Sequence, residues 1–307
     1  MLALVRCLSR LSPPTLHGLG AVLGWMAWAL SPGFRRTVKA NADRAGVSPA
    51  ERRRSVAEAG RLITELPRLW LRPAHQPIAE PLRWEGAALI EQHIGRPGGL
   101  LLLTPHMGSF EMAGQAIAER FGARQPMTVL YRPARQRWLR ELEARARARP
   151  GMATAPASLA GVRQMIRALR RGETVGLLPD QVPPDTQGVW APFFGEPAYT
   201  MTLAARLSQQ TGAAILVLWC ERLKPPAGYV LRVTSLPQAL PTEAAGHAEG
   251  GAALGATAAA TAEAALQLAC ATAINQAMEA VILQNPSQYL WAYQRYKSPR
   301  GPEVGHG

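Results

Sequence analysis

Cysteine is scarce: Cys7, Cys220 and Cys270 are the only three in 307 residues, widely spaced and odd in number. That pattern speaks against a disulfide framework and a cysteine-built metal site, and fits a reducing compartment. No Cys-x-x-Cys or His-x-x-x-His spacing offers a zinc ion its ligands, so no metal is expected. Acidic residues are also few, 21 against 34 Lys plus Arg, for a formal net charge of +13. Such a surplus favours polyanionic partners: nucleic acid, an anionic membrane face, or an acidic substrate or protein. Arginine carries most of it, and its planar fork suits phosphate and carboxylate groups.

Long hydrophobic runs are missing too. The apolar stretch Leu16–Leu30 is about fifteen residues, where a spanning helix needs about twenty. Arg6 and Arg10 interrupt the apolar residues before it, and Pro13-Pro14 breaks them. No small-residue cleavage site follows, and the chain runs straight into Phe34-Arg35-Arg36, so a removed signal peptide is not expected. A short span, a half-inserted anchor and a buried helix all remain open. Trp25 and Trp28, followed by Arg35, Arg36 and Lys39, read as an interfacial border and favour membrane attachment. Residues 1–33 are therefore taken as an anchor and 34–307 as one further domain.

What is present is a core-forming composition, 48% hydrophobic. Ser48 to Leu71 reads as an amphipathic helix, with Ser48 as cap, Pro49 at the first position and Glu51 at capping-box spacing. From residue 82 strands and helices alternate. Leu100–Leu103 is a buried strand bounded by Gly98-Gly99 and Pro105, with a helix expected over 109–121. Further strands are expected over 127–131, 174–178, 214–219 and 229–233, with helices over 135–149, 159–170 and 200–210 between them. This is the pattern of an α/β fold, a mostly parallel central sheet flanked by helices. The stretch from Pro237 to about Glu263 is too small-residue-rich for a core; its first half reads as a surface loop, its second as joining a helix that ends near Leu283.

Candidate chemistry gathers in Thr104-Pro105-His106-Met107-Gly108-Ser109-Phe110-Glu111, at the carboxyl end of the first core strand, where open sheets of this class place their sites. On one continuous helix His106 and Glu111 would lie about 140° apart, at about 100° per residue, so they meet only if the chain turns between them. Gly108 permits the turn and Ser109 can cap the helix that follows. A neutral imidazole can take a proton from an alcohol, and a carboxylate on its other nitrogen would fix the tautomer and stabilise the imidazolium. No Gly-x-Ser-x-Gly motif supplies an enzyme nucleophile, which favours direct transfer to a substrate hydroxyl.

Three more blocks accompany the first: Tyr131-Arg132-Pro133; Gly176 to Gln181, with Pro192-Phe193-Phe194-Gly195-Glu196-Pro197-Ala198; and Asn285-Pro286 with Tyr289-Leu290-Trp291 and Arg295-Tyr296-Lys297. In this order they resemble the lysophospholipid acyltransferase superfamily, and within it the lipid A biosynthesis acyltransferases of Gram-negative bacteria. The chain departs from that pattern at Phe110, Tyr289 and Tyr293, where the family more often has Trp, Trp and His. The resemblance implies a glycerolipid acyltransferase-like fold with a hydrophobic N-terminal anchoring helix, at the cytoplasmic face of the inner membrane. It implies that His106 is the general base and Glu111 its orienting partner. Arg132 would contact an anionic group, either the acceptor phosphate or the thioester region. Asp180, Gln181, Phe194 and Gly195 would join it in binding substrate. The expected co-substrate is an acyl thioester, on acyl carrier protein or coenzyme A, with no other cofactor. The expected acceptor is a phosphorylated lipid A precursor; another glycolipid, an ornithine lipid or a glycerolipid is the alternative. A rival of another class is a non-catalytic, basic, membrane-associated protein on the same fold. Nucleic acid is not expected, because the basic helix after residue 135 carries a single aromatic, Trp138, and the apolar N-terminus has no place in that role.

Overall fold

Leu100–Leu103 has no polar side to turn to solvent, so it needs cover on both faces. In the structure, a computed structural model, it forms β2 near the centre of a seven-stranded sheet. The structure describes residues 2–131, 134, 136–224, 227–242, 256–299 and 301. The strand order is β1 (Leu82–Glu85), β9 (Tyr229–Ser235), β8 (Ala214–Arg222), β2, β5 (Thr174–Leu177), β3 (Met127–Tyr131), β4 (Met152–Pro156). Every neighbouring pair is parallel except β8 with β9. The expected mostly parallel sheet flanked by helices is therefore present.

Alternation along β2 divides the core. Leu101 and Leu103 pack with Met165 and Leu169 of α8 (Leu159–Arg170), Leu207 of α9 (Leu203–Thr211) and Ile274 of α10 (Ala256–Ile282). Leu100 and Leu102 face Leu69 of α4 (Pro49–Leu71), Ile90 of α5 (Ala87–Glu91) and Ile117 and Phe121 of α6 (Phe110–Phe121). The helix expected from residue 135 is α7 (Arg137–Arg147); Arg135 lies outside the described residues, as does the middle of the 237–263 stretch. The hairpin of β6 (Gly188–Phe193) and β7 (Glu196–Met201) and the edge strand β4 are additions to the expected elements.

The N-terminal region forms α1 (Leu2–Ser9), α2 (Pro13–Leu30) and α3 (Pro32–Arg44). Pro13 and Pro14 start α2 behind the Ser12 cap, where a missing N–H costs nothing. Among the described residues no helix is long and apolar enough to cross a membrane. α2 instead lies antiparallel against α4, backbone to backbone: a Cβ on Gly60 would stand 1.8 Å from the Gly20 carbonyl oxygen, and one on Gly24 2.1 Å from that of Val56. The opposite face of α2 leaves Leu19, Val22, Leu23, Met26 and Leu30 exposed.

Candidate active site

Parallel pairing sets β2 against β5 with Leu103 level with Leu177. Three residues beyond each lie His106 and Asp180, so the register itself brings them together. Asp180 Oδ1 is 2.7 Å from His106 Nδ1, and its Oδ2 accepts the His106 backbone N–H at 2.9 Å. The carboxylate is 2% exposed and the imidazole 18%, so the ring reaches the surface while its partner does not. Nδ1–H donating to Asp180 leaves Nε2 as the ring's acceptor. Gln181 Nε2 stands 3.0 Å from it, and Phe110 meets the ring edge-on at 5.2 Å between centroids.

Burial alone would raise the Asp180 carboxyl, but the charge and two hydrogen bonds of His106, with Arg295 behind them, hold it below the ordinary carboxylate range. The neighbouring Tyr289 phenol is pushed well above its usual value, by burial first and by the Asp180 charge second. Its segment also braces the His106 loop: Leu290 N–H donates to the His106 carbonyl at 3.0 Å, and Gly108 N–H to the Gln288 carbonyl at 3.0 Å. Gly108 has φ +56°, and a Cβ there would meet the Cys220 carbonyl oxygen at 2.1 Å, so only glycine makes this turn. Among the described residues no group of three or more His, Cys, Asp or Glu is placed to hold a metal.

Glu111 is elsewhere. The first turn of α6 aims it at α7, where Arg147 Nη2 lies 2.5 Å from Oε1, and no hydrogen bond or ion pair joins it to His106. The turn at Gly108 occurs as expected, and Ser109 does stand at the cap of α6. Its hydroxyl accepts no first-turn N–H; its own N–H donates to the Cys220 carbonyl at 2.8 Å. The carboxylate on the imidazole is thus Asp180, because an adjacent parallel strand delivers it at the right level. Gln181 joins His106. Phe194 and Gly195 form the β6–β7 turn, with φ of +47° and +78°. Phe194 N–H donates to Glu279 at 2.7 Å and its ring packs on Phe193 and Trp291, whereas the ring that meets His106 is that of Phe110. Arg132 lies outside the described residues. Nothing in the sequence places Tyr289, Gln288 or Arg222 here: Tyr289 meets the Asp180 charge, Gln288 takes the Gly108 N–H and Arg222 reaches the Gly108 carbonyl only once the chain is folded.

A family model for bacterial lipid A biosynthesis acyltransferases matches residues 1–298. The chain is 26% identical over 256 residues to the lipid A biosynthesis palmitoleoyltransferase of Escherichia coli (strain K12), covering 82% of this chain and 74% of that protein. The lipid A biosynthesis acyltransferase of Shigella flexneri matches to the same extent. The lipid A biosynthesis lauroyltransferase of E. coli is 26% identical over 297 residues, covering 94% and 87%.

Proposed function

The chain belongs to the family of bacterial lipid A biosynthesis acyltransferases and is an O-acyltransferase, and from that premise we propose that His106 Nε2 is its general base, oriented by Asp180. The acceptor hydroxyl displaces the Gln181 amide and gives its proton to Nε2. The oxygen adds to the thioester carbonyl, and the tetrahedral intermediate collapses to the new ester. The thiol sulfur leaves and takes its proton from the imidazolium, so no covalent acyl-enzyme forms. The observation that carries this reading is the 2.7 Å pairing of Nδ1 with a buried carboxylate, which leaves the outer nitrogen as proton acceptor.

The donor in this proposal is an acyl thioester on acyl carrier protein. The exposed arginines Arg163, Arg167 and Arg170 of α8, a helix with no acidic residue, support an anionic donor of this kind. The acceptor is a phosphorylated lipid A precursor, taken at the cytoplasmic face of the inner membrane. Support for that placement is the exposed apolar face of α2 beside exposed Arg35 and Arg36. The test is lipid A mass spectrometry from cells with and without the gene, complemented by H106A. Loss of one secondary acyl chain that wild type restores and H106A does not is the expected result. Unchanged lipid A in the deletion, or full restoration by H106A, refutes the proposal.

A further inference from the structure

At the end of β8 a guanidinium is sealed inside the protein with carboxylates from a different layer. Arg222 donates from Nε and Nη2 to the two oxygens of Glu65 at 2.9 and 2.7 Å, and from Nη1 to Glu58 at 2.7 Å. Both acids stand on α4, and Tyr229 OH adds a donor to Glu65 at 3.2 Å. His17 of α2 lies 3.6 Å from the same carboxylate. The remaining reach of Nη2 goes to the Gly108 carbonyl at 3.2 Å, two residues past His106.

The peptide after His106 is therefore held at three points. Gly108 N–H goes to the Gln288 carbonyl, Gly108 C=O takes Arg222, and Ser109 N–H goes to the Cys220 carbonyl. Gln288 is itself tied to Arg222, accepting its backbone N–H at 2.9 Å and donating to its carbonyl at 2.6 Å. A buried ion cluster is a poor way to gain stability, since apolar side chains of equal volume often do as well. What an apolar cluster cannot provide is a directed donor at the Gly108 carbonyl.

We infer that Arg222 is a positioning residue for acyl transfer, which sets the His106 loop through Gly108 and is aimed by Glu58 and Glu65. Resting on the acyl-transfer reading above, this makes α4, and α2 packed on it, part of what holds the catalytic histidine in place. R222K is the direct probe: it keeps a cation for Glu65 but loses the fork that also reaches Gly108. In purified full-length protein, kcat per folded molecule should fall by about tenfold or more, with KM for donor and acceptor within about twofold, as for a small misplacement of a reacting group. The second probe is R222M/E58M/E65L, which fills the same space without charge. It should keep cooperative unfolding while kcat stays low. Folded R222K with wild-type kcat, or the apolar triple with wild-type kcat, overturns the inference. Either would leave the H106A result, and with it the acyltransferase reading, untouched.

Discussion

Both oxygens of Asp180 are spent on one residue, the ring and the backbone N–H of His106. An asparagine can accept at only one of those points and would turn an NH2 toward the other N–H. D180N should therefore lower kcat by about 10²- to 10⁴-fold with little change in KM, as when a triad carboxylate is lost. Steady-state kinetics decide; a D180N enzyme within a few-fold of wild type would place the orienting group elsewhere. Glu111 is a separate question, since its partner is Arg147. If it acts through α7, then E111Q, R147Q and the double variant should all reduce transfer to a similar degree, the signature of one shared interaction. An inactive E111Q beside a near-normal R147Q would mean that Glu111 reaches the imidazole in the working complex.

The buried carboxylates also set an acid limit. Glu65 is desolvated, yet Arg222 and its hydrogen bonds pull its pKa down from 4.5 to about 2. A pKa lowered by folding stabilises the native state above the unfolded value, and that stability is lost as pH falls through the folded one. The stability difference between wild type and E65Q should be constant above about pH 5 and shrink between 4.5 and about 2. Denaturant unfolding at stepped pH measures this; a difference that grows on acidification would reverse the sign of the argument. Asp180, also lowered, adds in the same direction.

At the scale of elements, the α2–α4 crossing depends on glycine at defined places. Gly60 faces the Gly20 carbonyl across a gap with no room for a methyl group, whereas Gly18 on the same α2 has nothing within 4 Å. G60A should cost about 1–3 kcal/mol by overpacking, while G18A should be neutral or gain up to about 1 kcal/mol in helix propensity. Equilibrium unfolding separates the two, and equal effects would mean that the crossing is loose. The same local logic explains which elements were legible beforehand. β2 is a run of four leucines between glycines and a proline, and α8 starts at the Ser158 cap, whose hydroxyl accepts the Gly161 N–H at 3.4 Å. β4, Met-Ala-Thr-Ala-Pro, has no strand-like pattern and is a strand because β3 pairs with it. His106, Asp180 and Gln181 all stand out in the sequence, but their pairing does not, for a related reason: His106 and Asp180 are 74 residues apart, and only the β2–β5 register makes them neighbours.

For the whole molecule, the proposed lipid acceptor raises the question of which surface would meet a membrane. Leu19, Val22, Leu23, Met26 and Leu30 recur at helical spacing on the side of α2 away from α4, and Leu4 of α1 and Ile63 of α4 are exposed as well. Isolated apolar residues on a surface need no explanation, but a continuous stripe rimmed by Trp25 and the exposed Arg35 and Arg36 suits the headgroup boundary of an anionic leaflet. A helix lying in that boundary needs neither the length nor the uniform apolarity of a spanning one. Each large side chain so buried contributes about 1.5–3 kcal/mol, so L23D/M26D should weaken partitioning onto phosphatidylglycerol-containing vesicles by about tenfold or more. Co-sedimentation reads this out, with H106A as a control that should bind like wild type. High salt should weaken only the arginine contribution, since screening does not touch apolar burial. If L23D/M26D sediments as wild type does, α2 is not the docking face. Binding that vanishes entirely in salt would assign the attachment to charge alone.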